Sequence, residues 1–136
     1  MGLDQTAYRV KRGFITNPVD FRTENYNNET GESVVLCETE EVQYWRKHPN
    51  LQGWMENLYH EKGGEDEFNC VNVQLTWEDL ERLEKDIKGE SLPETQGFFF
   101  GNSMGDEEER EYDLEFVEKA LKSIEEGYDV FYTSWW

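Results

Sequence analysis

Arg46, Lys47 and His48 lie in the segment 44–59, where Tyr44, Trp45, Trp54 and Tyr59 surround a basic triplet inside a strongly acidic chain. Arginine beside tyrosine and tryptophan suits the binding of an anion, the stacking of a planar ring, or pairing with carboxylates. Tyr44, Trp45, Arg46, Lys47 and Trp54 are therefore candidate ligand- or partner-binding residues. The competing reading is that Arg46 pairs with acids of a neighbouring helix, since acids are abundant.

Gly101-Asn102-Ser103-Met104-Gly105 matches the G-x-S-x-G turn that exposes a nucleophilic serine between a strand and a helix. Three features argue against that chemistry. The fold using this turn needs a longer α/β sheet than the chain can build. Its histidine must follow the serine, whereas His48 and His60 both precede it. Four acids, Asp106 to Glu109, come directly after, where an oxyanion would have to be stabilised. Asn102 and Ser103 stay as candidate ligand contacts in a glycine-bounded turn, and no catalytic residue is assigned. No metal site and no cofactor are expected either. His48, His60, Cys37 and Cys70 lack the spacings of zinc sites, the acid runs lack the alternation of a calcium loop, and no Walker-type loop is present.

The elements that would carry these residues can be read from periodicity. Residues 3–21 suggest one strand with a turn at Gly13, and Ser33 to Cys37 a short β-branched strand. Thr39 resembles an N-cap, followed by acids in a first turn, so a helix is expected that kinks at Pro49. Leu51, Trp54, Met55 and Leu58 then recur at helical spacing, up to Gly63-Gly64. Val71, Val73 and Leu75 alternate with polar residues, as in a half-buried strand. Thr76 and Asp79 resemble a capping box for a helix with Leu80, Leu83 and Ile87 on one face. Gly97 to Gly101 reads as a buried strand, and Leu114, Val117, Leu121 and Ile124 as the stripe of the clearest helix. A terminal aromatic strand buries either Phe131, Thr133 and Trp135 or Tyr132, Ser134 and Trp136. Trp136 enters as a candidate contact residue or dimer seam. The expected architecture is a single α+β domain over 1–136: a small, mostly antiparallel sheet packed with about three to four helices.

Composition bounds the function. The 136 residues carry a formal net charge of −18 and 15% aromatics, which implies a folded domain and not an acidic tail. Residues 1–23 hold a net charge of +2 and the remainder −20. Such a field repels phosphate backbones and attracts basic surfaces, so direct nucleic-acid binding is not expected. No apolar run approaches a membrane span and no signal peptide is recognisable, giving an expectation of a cytoplasmic protein. Cys37 and Cys70 are expected to be reduced core residues.

Met1-Gly2-Leu3-Asp4, Tyr44-Trp45-Arg46-Lys47 followed by Trp54, the stretch Gly97 to Ser103, and the aromatic Ser134-Trp135 end together resemble a small, functionally uncharacterised family encoded in bacteriophage and prophage genomes. The resemblance covers nearly the whole chain and implies a viral accessory protein in the host cytoplasm, with no catalytic residue to carry over. Relatives often have a histidine where this chain has Gln52, which argues further against an enzyme. The leading expectation is a non-enzymatic protein that binds and modulates a host protein with a basic or nucleic-acid-binding face. The alternative is a binder of a nucleotide or small anion, or an enzyme of nucleotide metabolism or anti-defence, using Tyr44, Arg46, Lys47 and the glycine-bounded loop. A virion component is a third reading.

Overall fold

The computed structural model describes residues 2–27, 29–95 and 105–136. Among these residues nine elements follow in order: β1 (Asp4–Lys11), β2 (Glu24–Tyr26), β3 (Ser33–Val35), β4 (Glu40–Arg46), α1 (Pro49–Glu61), β5 (Asn72–Leu75), α2 (Trp77–Lys88), α3 (Glu107–Glu125) and β6 (Tyr128–Trp135). The fold is α+β. Four strands form an antiparallel sheet in the order β4-β1-β6-β5, and β2 pairs with β3 in a separate hairpin. Among the described residues no helix is long and apolar enough to cross a membrane. The expected strand at Gly97 to Gly101 falls outside the described residues, as do Asn102 and Ser103.

All three helices bury their apolar faces in one cluster with the strand residues Ala7, Trp45, Val73, Leu75, Val130 and Tyr132. The opposite sheet face is covered locally, where Phe131 meets Tyr8 in a stacked pair and Phe21 edge-on. Terminal-strand alternation thus places Tyr132 and Ser134 toward the helices and leaves Trp135 67% exposed.

The helix expected from Thr39 is instead β4. Glutamates at 40 and 41 gave the look of a helical first turn, but pairing with β1 across six residue pairs, with a bulge at Ala7/Tyr8, overrides local propensity. The alternation is that of a strand: Gln43 and Trp45 are buried, and Tyr44 and Arg46 point outward. Pro49 therefore kinks nothing. It occupies the first turn of α1, where its missing N–H costs no bond. Lys47, at φ 57°, supplies the left-handed residue that redirects the chain from strand to helix, and its N–H is held by the Leu3 carbonyl at 2.8 Å.

The expected face of α1 is buried as read, and α2 has its capping box, with Thr76 and Asp79 each accepting from the other's backbone N–H. In α3 the buried face centres on Asp113, Phe116, Val117, Ala120 and Ser123, so the expected stripe is rotated, with Leu114, Leu121 and Ile124 at its flank. Cys37 and Cys70 are free thiols as expected, but Cys37 is half-buried and Cys70 exposed, so neither belongs to the core.

Tyr59, fully buried, donates its hydroxyl to Asp20 at 2.6 Å. Burial, then this bond, push its phenol up to about 12. The unfolded chain releases that proton near pH ~10. Stability held by the neutral phenol is therefore complete below about pH 10 and declines as pH rises toward about 12, because only the unfolded state readily loses the proton. Urea unfolding at pH 9 and pH 11 is expected to show a smaller loss of stability for Tyr59→Phe than for the wild type; equal losses would contradict this assignment.

Candidate functional site

The sequence around His48 is brought to the N-terminal turns of α3. A cleft of about 590 Å³ lies between them, lined by Tyr44, Trp45, Arg46, Lys47 and His48 on one side and Glu108, Glu109 and Tyr112 on the other. The strand alternation of β4 explains the division of labour. Trp45 turns inward, where Phe116 meets its ring edge-on at 4.8 Å between centroids, while Tyr44 and Arg46 face outward. Tyr112 donates to the Tyr44 carbonyl at 2.5 Å, tying α3 to the outer edge of β4.

At the floor of the cleft, His48 Nε2 lies 2.8 Å from Asp113 Oδ2, with both side chains almost wholly buried. The other Asp113 oxygen accepts from Trp45 Nε1 at 2.9 Å. Glu109, one helical turn before Asp113, places Oε1 3.7 Å from the same imidazole nitrogen and accepts from the Gly105 N–H at 3.1 Å. A carboxylate is an acceptor only, so Nε2 carries the proton in the His48–Asp113 contact. His48 is also fixed through its backbone: Gln5 Oε1 accepts from its N–H at 2.9 Å, and Gln5 Nε2 donates to its carbonyl at 3.0 Å.

The candidates read from the sequence divide. Tyr44, Trp45, Arg46 and Lys47 line the cleft together. The Tyr44 hydroxyl donates to Asp4, a bond that raises its pKa. Trp45 holds the floor rather than the rim. Among the described residues Arg46 and Lys47 form no ion pair, so the expected pairing of Arg46 with helix acids is not what positions it. Trp54 is elsewhere, buried with Nε1 donating to Asp86 at 2.8 Å. Trp136 does not line the cleft and is half-buried, with its indole donating to the Phe68 carbonyl at 2.8 Å; the neighbouring Trp135 is the exposed one.

Glu109 and Asp113 are site residues that the sequence does not single out, and His48 stands out there only as part of a basic triplet and as a histidine without zinc-site spacing. In the sequence His48 is isolated, because the acids that face its ring are more than 60 positions away. One signal was present: Asp113 sits three residues before Phe116, inside the apolar periodicity of α3, where an acid demands a buried partner. Comparison with family models, curated proteins and solved structures finds no match to the chain.

Removing Asp113 tests the floor. Asp113→Ala leaves the Trp45 indole and the His48 imidazole without their acceptor and is expected to cost on the order of 3 kcal/mol in urea unfolding. Asp113→Asn is expected to cost clearly less, since its amide oxygen still accepts from Trp45 and the imidazole can change tautomer to accept from its NH2. Equal stability of the alanine variant and the wild type would show that the three side chains do not form this cluster.

Proposed function

We propose that the protein binds a small molecule bearing a phosphate or carboxylate in the cleft between β4 and α3. One observation carries this reading: Tyr44, Arg46, Lys47 and His48 converge on a single concavity, with both rim cations outside any ion pair among the described residues. In a chain of net charge −18, two cations facing two acids make the cleft locally neutral within a repulsive field, and the basic rim lies on one wall of it. Arg46 offers a planar fork to an oxyanion, and the Tyr44 and Tyr112 rings offer flat apolar surface beside it. Glu108 and Glu109 on the facing wall disfavour a bare polyanion and favour a ligand that also carries donors, such as a nucleotide or an amino acid.

A second reading is supported elsewhere on the molecule. Val34 and Val35 are each 62% exposed, and Leu36 and Trp135 are exposed as well. Aliphatic and aromatic groups on an acidic surface suit docking on a host protein through its basic or nucleic-acid-binding face, the role expected of a phage accessory protein.

Thermal unfolding with a panel of nucleotides, sugar phosphates, amino acids and inorganic phosphate separates the two. The cleft reading expects at least one member to raise the midpoint, and Arg46→Ala with Lys47→Ala to weaken its binding about 10-fold or more. A panel without effect, together with capture from host lysate of a basic protein at low salt and its release at high salt, would overturn the cleft reading in favour of the second.

A further inference from the structure

We infer that His48, Glu109 and Asp113 form a binding site for one divalent first-row transition-metal ion, of the class of Zn²⁺ or Mn²⁺, at the floor of the cleft. This goes beyond the ligand reading, with which it shares only His48 and Glu109. One ligand atom from each residue lies within 4.8 Å of the other two. A metal with bonds of about 2.1 Å to nitrogen and oxygen separates adjacent ligands by about 3.0 Å in octahedral and about 3.4 Å in tetrahedral geometry. The His48 Nε2 separations of 2.8 Å to Asp113 and 3.7 Å to Glu109 bracket those values, so small side-chain shifts admit the ion.

Charge points the same way. One imidazole and two carboxylates keep a net negative charge whether or not the ring is protonated, although the His48 and Asp113 side chains are only 4% and 2% exposed and that of Glu109 16%. With a neutral ring, a divalent ion brings the cluster to zero. For the ion to take Nε2, the proton of the neutral ring moves to Nδ1, so the ring stays neutral and no net proton release is required. The supporting contacts are those a metal site uses to hold its ligands. The Asp113 oxygen facing away from His48 is fixed by Trp45 Nε1, and the His48 backbone is clamped by Gln5. Glu109 and Asp113 are four residues apart on one helix, which aligns both carboxylates toward one point. The imidazole selects against Mg²⁺ and Ca²⁺, and the two carboxylates against Cu⁺. His48 and Glu109 also line the cleft, which supplies the entry path and leaves further coordination positions open toward it.

The test uses the full chain without a histidine tag, stripped with chelator and titrated with Zn²⁺ and Co²⁺ by calorimetry, with visible absorption of Co²⁺ as a second readout. The expected result is one equivalent bound, with a Co²⁺ spectrum of mixed nitrogen and oxygen ligands. His48→Asn and Glu109→Gln are each expected to weaken binding at least about 10-fold. Glu109 is at the accessible edge of the cluster, so Glu109→Gln keeps the test valid if the His48 variant fails to fold. No saturable binding, or binding of equal affinity in wild type and Glu109→Gln, would overturn the assignment and leave a hydrogen-bonded His–Asp–Trp cluster.

Discussion

The two hydrogen bonds between the Gln5 side chain and the His48 backbone are the constraint on which the rest of the site depends. They join the start of β1 to the turn between β4 and α1, where the strand ladder has ended and the helix has not begun. The same Gln5 nitrogen donates to the Tyr132 hydroxyl at 2.9 Å, which donates in turn to Gln52 at 2.5 Å, and Gln52 donates to Ser134 at 2.8 Å. A polar chain therefore runs through the core from β1 through α1 to β6. Among the described residues every buried side-chain polar atom has a partner, so the chain is satisfied throughout and specifies its geometry instead of merely tolerating it. A slip of β1 by one residue would turn Gln5 to the other sheet face and break all of it at once. Burial drives the Tyr132 phenol far above its ordinary pKa, opposed in part by Gln5 and Ser134, which keeps this hydroxyl a donor at any ordinary pH.

Because His48 is held from behind, its ring has a fixed direction toward α3. Asp113 meets it there, and Trp45 holds Asp113 from the sheet. The sheet, the turn and the helix are thus coupled through three side chains with almost no exposure. The Lys47 turn has a second consequence. By taking a left-handed conformation it ends β4 abruptly, so Arg46 and Lys47 reach the rim of the cleft while Trp45 and His48, on either side, face its floor. Basic rim and buried acidic floor follow from one break in backbone geometry. The first turn of α3 is already occupied by acids, with Asp106 accepting from the Glu109 N–H at 2.9 Å, so positive charge at the site comes from the side chains of β4 and its turn and not from a helix end.

Much of the fold was legible because most elements agree with their local signals. The capping box of α2, the stripe of α1 and the α+β class could all be read from spacing alone. What could not be read was long-range. Glu40 and Glu41 mimic a helix start, and only pairing with β1 makes a strand of them. The rotation of the α3 stripe is invisible without knowing that Asp113 has a buried partner. The role of His48 depends on Gln5, Glu109 and Asp113, each more than 40 residues away. The basic cluster at Arg46 and Lys47 was legible as a candidate because its composition departs from that of the chain, whereas the floor beneath it is made of residue types that an acidic protein has everywhere.

His48 is locked against Asp113 with its proton on Nε2, beside a Trp45 indole bound to the same carboxylate. Nitrogen-15 NMR of the metal-free protein reads this directly. A slowly exchanging proton on His48 Nε2 and a protected Trp45 indole proton are expected, with both protections lost together in Asp113→Ala. A His48 ring protonated only on Nδ1, or a Trp45 indole exchanging freely with water, would contradict it.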